Sequence, residues 1–514
     1  MKKTNLFILA AICGFLTITA NNSPLILSAS SGIARGRVAA TAQESSNEPD
    51  PRARIDRIEN DLLPPIVIKG QPVPTMKIAD RMAHYKVPGV SVAFFDHGQI
   101  KWTRTYGFAD IAGKKPVTTE TLFQAASISK PISALAALRL VQDSKLSLDE
   151  DINSKLRSWS VPENEFTKEQ KVTLRRVLSH SAGLTVHGFP GYGPGEPAPT
   201  VVQILNGEKP ANTPPVRVDA VPGTIWRYSG GGFVVMQLLL TEVTGKPFPR
   251  ILHDLVLQPA GMNNSTYEQP LPKNLSTVAA TPYRADGEPV KGGWHTYPEI
   301  AAAGLWTTPS DLARLAIEVQ NEYAGKSNKI LSQEMIRQML TRQKDNWGLG
   351  FDLESSGHGL AFSHAGSNEG FRCYLEAYIE SSEGVVIMTN SDSGDQLASE
   401  VLGAIAKEYN WPDFHPKERA IAKFDPALLV TYAGTYEAPG LGKVTVTAKD
   451  AKLYLQVEPF GPVPLEILPE SDTSFFSLSP NINLPFVFQK DEKGAVFKLV
   501  IVVGTQTFEA NKVK

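Results

Sequence analysis

The sequence predicts an α+β domain followed by a smaller all-β domain, and three features of its 514 residues carry that prediction. Alternating strand patterns occur at "VPGVSVAFFDHGQIKWTRTYGFAD" and at "CYLEAYIESSEGVVIMTN", each broken by turn residues, so each reads as a β-hairpin. Between them, from Ser127 to about Thr244, helical signals dominate, and strands, then helices, then strands make an α+β domain over 61–415. From about Asp425 the chain changes to short alternating runs punctuated by Gly, Pro and Asp ("TYAGTYEAPGLGKVTVTAKDAKLYLQVEPFG"), a barrel-like all-β domain over 425–514. A chain this long exceeds one ordinary domain, and with 42% hydrophobic residues it can fill a large core.

Ahead of these domains, Lys2 and Lys3 precede the apolar run "LFILAAICGFLTITA". That run is short for a membrane span and fits a signal peptide, with an uncleaved anchor as the alternative. Cleavage after Ala20 or after the small residues ending at Ala42 makes 1–42 a signal and processing region, and the expected location periplasmic or secreted. The mature chain then keeps one cysteine, Cys373, which excludes an intramolecular disulfide and a thiolate metal site. The polar stretch 43–60 ("QESSNEPDPRARIDRIEN") reads as a linker. A net charge of −2 without a basic cluster offers nucleic acid no footprint, so a small molecule or short peptide is the expected partner. No stable membrane span is expected once the signal is removed, and neither a metal nor an organic cofactor is implied.

The stretch "QAASISKPISA" at 124–134 places Ser127 and Lys130 three apart, before an apolar run to Val141. Between Ile132 and Val141 only Ser133 and Arg139 are polar, so a helix here is buried nearly all round. Pro131 suits its first turn. At helical spacing the two Cβ atoms lie about 5 to 6 Å apart. Burial and the positive end of the helix dipole both favour a neutral lysine, which can take a proton from a serine. A serine cap with a solvent-facing lysine gives the same pattern.

Two further stretches add candidates. In "PGTIWRYSGGGFVVMQLLLTEVTGKPF", Tyr228 ends an extended segment, three glycines give a tight turn, and an apolar helix from Phe233 to Val243 closes at Gly245. In "LAFSHAGSNEGFRCYLEAY", His364, Gly366 and Ser367 lead into the second hairpin, and Gly366 lets a substrate backbone approach a strand edge.

S-x-x-K opening a buried helix, Y-S-x before a helix and H-x-G at a strand, in that order, resemble the serine β-lactamase and penicillin-binding protein superfamily, specifically its class C β-lactamase-like branch. "TLRRVLSHSAGL", "VLQPAGMNNSTY" and "AAAGLWTTPSDLARL" are similar to that family's connecting segments, and the tail is similar to the lipocalin-like domain of some members. The resemblance implies a β-lactamase/transpeptidase-like fold, an antiparallel sheet flanked by a helical subdomain. It implies Ser127 as acylated nucleophile, Lys130 as proton acceptor, Tyr228 as proton relay and His364 in the place of a lysine. The N–H groups of Ser127 and Ser367 are the implied oxyanion hole. Where β-lactamases read Y-x-N, this chain has Gly230, without the side-chain amide that grips a β-lactam or peptide. The second departure is His364 itself, a histidine mostly neutral near pH 7 where those enzymes hold a lysine, so carboxylate recognition is expected to be weaker and His364→Lys to restore some β-lactam turnover.

Other chemistries find no support: no G-x-S-x-G and no H-E-x-x-H occurs. His180 and His187 fall on loops near the cleft, His187 as the better candidate for substrate contact and His180 as structural. The Gly/Pro-rich run 188–199 is expected as a long surface loop near the site. The reading is a serine hydrolase acting through an acyl-enzyme on an ester or small-peptide amide. A β-lactamase or D-Ala-D-Ala carboxypeptidase is the alternative, and a non-catalytic ligand sensor the rival from another class.

Overall fold

The computed structural model describes residues 51–439, 442–457, 464–478, 485–503 and 506–513, and the segment 1–42 lies outside the described residues. The chain divides into two compact units: one holds Ile58–Pro65 and Pro74–Pro416, the other the chain up to Arg57, Ile66–Val73 and Lys417–Lys514.

The first unit is built on a seven-stranded antiparallel sheet. Its strands are β1 (Gly89–Asp96), β2 (Gln99–Asp110), β3 (Lys115–Pro116), β4 (Asp352–Ser356), β5 (Gly359–Asn368), β6 (Phe371–Tyr378) and β7 (Gly384–Thr389). They lie in the order β3-β2-β1-β7-β6-β5-β4. The two predicted hairpins are therefore neighbours, joined where β7 pairs with β1 from Gly384↔Phe95 to Thr389↔Val90. "GVSVAFFD" is buried up to its last residue because a central strand is covered on both faces. The turn between β1 and β2 has His97 at φ 49° and Gly98 at φ 72°, the two left-handed residues a two-residue hairpin loop requires. The helices Pro309–Tyr323 and Gly394–Glu408 pack on the sheet, and the apolar helices α1 (Ser129–Gln142) and α2 (Gly230–Thr244) carry the helical core.

Two boundaries differ from the sequence expectation. The predicted linker 43–60 contains an α-helix, Pro51–Asn60, whose charged composition hides a buried stripe of Ile55 and Ile58. The hydrolase unit is also not the continuous run 61–415: Ile66–Ile68 pairs in parallel with Lys417–Arg419, and this backbone pairing joins a piece of the N-terminal chain to the second unit.

The second unit contains a closed eight-stranded barrel in which each strand pairs antiparallel with the next and the ring closes at Tyr436↔Lys512. Its own core includes Tyr432, Tyr436, Phe475, Phe486, Phe488 and Leu499. Among the described residues no helix is long and apolar enough to cross a membrane. Because the seven-stranded sheet lies wholly within the first unit, a chain ending at Lys423 is expected to stay soluble and to react at Ser127 with a serine-directed label as the full chain does. Insoluble or unreactive protein would make the barrel part of the catalytic fold.

Candidate active site

Ser127 lies in a single 3₁₀ turn, Ala126–Ile128, and α1 begins two residues later. The serine therefore sits ahead of the helix rather than in its first turn. Ala126 is at φ 50°, a left-handed conformation that costs a residue with a Cβ about 1 to 2 kcal/mol. Burial on all sides holds it there. The spacing still delivers the contact: Lys130 Nζ is 2.9 Å from Ser127 Oγ.

Lys130 is only 2% exposed, because α1 is apolar all round and submerged in the core. Its ammonium donates also to the Ala302 carbonyl at 2.9 Å and stands 4.9 Å from the centre of the Tyr228 ring. Burial lowers its pKa to about 7. Near neutral pH a large fraction is an amine, to which the Ser127 hydroxyl can donate.

Tyr228 hydrogen-bonds Ser127, and burial raises its pKa well above the usual value, so it stays a phenol. The next residue, Ser229, caps α2: its Oγ accepts the Gly232 N–H at 2.9 Å. The three glycines lie inside the first turn of α2 rather than in a turn before it, and none has a positive φ. What they supply is absence of bulk. A Cβ at Gly230 would lie 2.9 Å from the Phe189 ring and 3.0 Å from the His187 carbonyl, and one at Gly231 2.7 Å from the Thr185 carbonyl. The loop 185–189 presses directly onto the helix, and its carbonyls at His187 and Val186 accept the Gly230 and Gly231 N–H groups at 3.0 and 2.9 Å. Gly230→Asn is therefore expected to destabilise the protein by about 1 to 3 kcal/mol through overpacking. It should not gain cephalosporin turnover. A melting curve beside a hydrolysis assay checks both, and a variant with unchanged melting point and new cephalosporin activity would contradict them.

His364, Gly366 and Ser367 lie on β5. Its neighbour β4 pairs only as far as Asp352↔Ser363, so 364–368 extend past it. Gly366 is required by a close approach, but the approaching backbone is the chain's own: a Cβ there would lie 2.2 Å from the Ala125 carbonyl. This corrects the expectation of a substrate backbone at that point and seats the strand against the serine turn. Ser367 is exposed at the same strand end. His364 is 4% exposed, and its Nδ1–H donates to the Ala365 carbonyl at 2.6 Å, which leaves Nε2 a buried acceptor without a hydrogen-bond partner. Burial, and then Lys130, lower its pKa to about 3, so this imidazole is neutral at working pH.

The fold thus gathers Ser127, Lys130, Tyr228 and His364, with His187 exposed on its loop and its ring 4.9 Å from that of Tyr228. It adds Trp347, which the sequence reading passed over, and brings in His180, which that reading took as structural. Trp347 lies 5.9 Å from the Tyr228 ring and 5.6 Å from the His364 ring, and His180 stacks on Tyr228 at 4.3 Å. Trp347 stands in "NWGLGF", where the paired glycines marked a turn but nothing local marked a site wall.

Comparison with known proteins bears on the family and the fold. The family model Beta-lactamase matches residues 76–409, and a domain of unknown function, DUF3471, matches 418–511. The chain is 23% identical over 418 residues to penicillin-binding protein 4* of Bacillus subtilis, covering 77% of this chain and 89% of that one. It is 32% identical over 208 residues to esterase EstB of Burkholderia gladioli, covering 38% of this chain and 49% of the esterase. The fold resembles that of the octameric penicillin-binding protein homologue from Pyrococcus abyssi, with TM-score 0.55 and 22% identity over 84% of this chain and 98% of the other. A family match across most of the chain, on the fold and motif order described, establishes that this protein belongs to the Beta-lactamase family.

Proposed function

We propose that the protein hydrolyses an ester or small-peptide amide through an acyl-enzyme on Ser127. The observation that carries this is the 2.9 Å contact between Ser127 Oγ and a buried Lys130 whose pKa is about 7. The neutral amine takes the hydroxyl proton as Oγ attacks the substrate carbonyl carbon. The N–H groups of Ser127 and Ser367 receive the oxyanion, a contribution of about 2.7 to 4 kcal/mol per donor where one has been removed from a comparable site. Tyr228 passes the proton from Lys130 to the leaving group, whose bond to the carbonyl carbon breaks. The same phenol and amine then take a proton from water as it attacks the acyl-enzyme, and Ser127 leaves with that proton. His364 lines the strand edge as a neutral acceptor, and His187 reaches the substrate from its loop.

The esterase among the relatives supports the ester reading, and the loop packed on Gly230 supports it against a β-lactam. The penicillin-binding relatives keep a D-Ala-D-Ala carboxypeptidase or β-lactamase as the second reading. A non-catalytic sensor would need a broken contact, whereas the serine contacts both Lys130 and Tyr228. The apolar N-terminal run supports a periplasmic or secreted location.

The test is covalent. A fluorophosphonate is expected to add one adduct per chain, which peptide mapping places on Ser127. An adduct elsewhere, or none with either a fluorophosphonate or a penicillin, would favour the sensor.

A further inference from the structure

Tyr228 can work only if its hydroxyl is held against Ser127, and it lies outside regular secondary structure, separated from α2 by the cap residue Ser229. His180 grips that segment at three points. Its carbonyl accepts the Arg227 N–H at 2.8 Å, its Nδ1 accepts the Ser229 N–H at 3.1 Å, and its ring lies against the Tyr228 ring at 4.3 Å and 31°. The bonds bracket Tyr228 by one residue on each side, and the ring covers a face of the phenol.

We propose that His180 is the positioning residue of the Tyr228 proton relay, holding the phenol in register with Ser127 by accepting hydrogen bonds from the residues before and after it. The proposal rests on the reading of Tyr228 as that relay. A histidine kept only for packing would need neither the acceptor nor its tautomer. Here the Ser229 N–H donates to Nδ1, so Nδ1 carries no proton and the proton sits on Nε2. That Nε2 is itself buried without a partner, so the ring's polarity is used on the Tyr228 segment alone. Burial, with Lys130, His364 and His187 as its charged or titratable neighbours, holds its pKa well below the ordinary value and keeps the acceptor form. The backbone helps as well: His180 is at φ 56°, in the left-handed region, which turns its carbonyl toward Arg227. Asparagine also tolerates that conformation, and its Oδ1 stands near the place of the histidine Nδ1.

The test uses the full chain with kcat, KM and melting point on a short-chain nitrophenyl ester, in His180→Gly, His180→Asn, His180→Gln, Tyr228→Phe and the His180→Gly/Tyr228→Phe double variant. His180→Gly keeps the backbone conformation and loses the acceptor. Its kcat should fall roughly ten- to a hundredfold with KM within about twofold, the scale on which small misplacement is felt. His180→Asn should recover most of that loss, and His180→Gln, whose acceptor falls near the Nε2 position, should not. In the Tyr228→Phe background His180→Gly should cost little more. If the glycine variant does not fold, Asn against Gln at similar melting points decides. Additive losses in the double variant, or equal rates for Asn and Gln, would overturn the positioning role while leaving Tyr228's role intact. A wild-type rate in Tyr228→Phe would overturn both.

Discussion

Ser127→Ala is expected to lower kcat on a nitrophenyl ester by roughly 10⁶-fold, the scale on which a serine hydrolase feels loss of its nucleophile. Lys130→Ala should cost about 10² to 10⁴-fold, as loss of a general base does. The lysine leaves a signature that the serine does not. With a pKa of about 7, Lys130 is an ammonium below that pH, where it can donate to Ser127 but not accept its proton. Acylation should therefore fall about tenfold for each pH unit below 7 and reach a plateau above it. His364, with its pKa near 3, and Tyr228, held well above the usual phenol range, add no inflection between pH 5 and 9. Profiles of kcat/KM from pH 5 to 9 for the wild type and Lys130→Ala check the assignment. A flat wild-type profile, or an inflection near 7 that survives in Lys130→Ala, would remove the lysine from its role.

A short-chain nitrophenyl ester should be hydrolysed with higher catalytic efficiency than a chromogenic cephalosporin, judged against a true β-lactamase run in parallel. The ester needs the nucleophile, the base and the oxyanion donors. The cephalosporin also needs its amide gripped and its carboxylate met by a cation, and here the first place is filled by Phe189 and the second by a neutral imidazole. Taking a charged hydrogen bond as about 1.5 to 3 kcal/mol and a neutral one as about 0.5 to 1.5, the two losses sum to about 2 to 4.5 kcal/mol. That is a deficit of roughly thirtyfold to two-thousandfold. The packing also revises the expectation for His364→Lys. The imidazole is buried between the Tyr228 and Trp347 rings and close enough to Lys130 to feel its charge, so a second ammonium would be desolvated beside the first. The variant should lose ester turnover without gaining the cephalosporin. Parity with the control enzyme on the cephalosporin would make the penicillin-binding reading the better one.

The residues of the amino-acid sequence that act over short range could be read directly. Ser127 and Lys130 are three apart on a coiling backbone, and either a 3₁₀ turn or an α-helix brings them within reach, so their contact did not depend on which one formed. Hairpins announced by alternation, and the all-β tail announced by short alternating runs, were legible for the same reason, since register and turns are local, whereas the barrel closes through the distant pair Tyr436↔Lys512. Tertiary structure decided what lies between distant segments. It brought Tyr228 and His364 to the serine from positions about 100 and more than 200 residues away, as a buried core forces its apolar faces together. It gave the glycines their meaning, since no sequence pattern says that Gly366 faces the Ala125 carbonyl or that Gly230 faces Phe189. It made His180, a loop histidine by sequence, the acceptor for the Ser229 N–H. It also placed Lys130 beside the Ala302 carbonyl without solvent, and removal from water is a property of the assembled core, so the pKa of the base was fixed only when the chain folded around it.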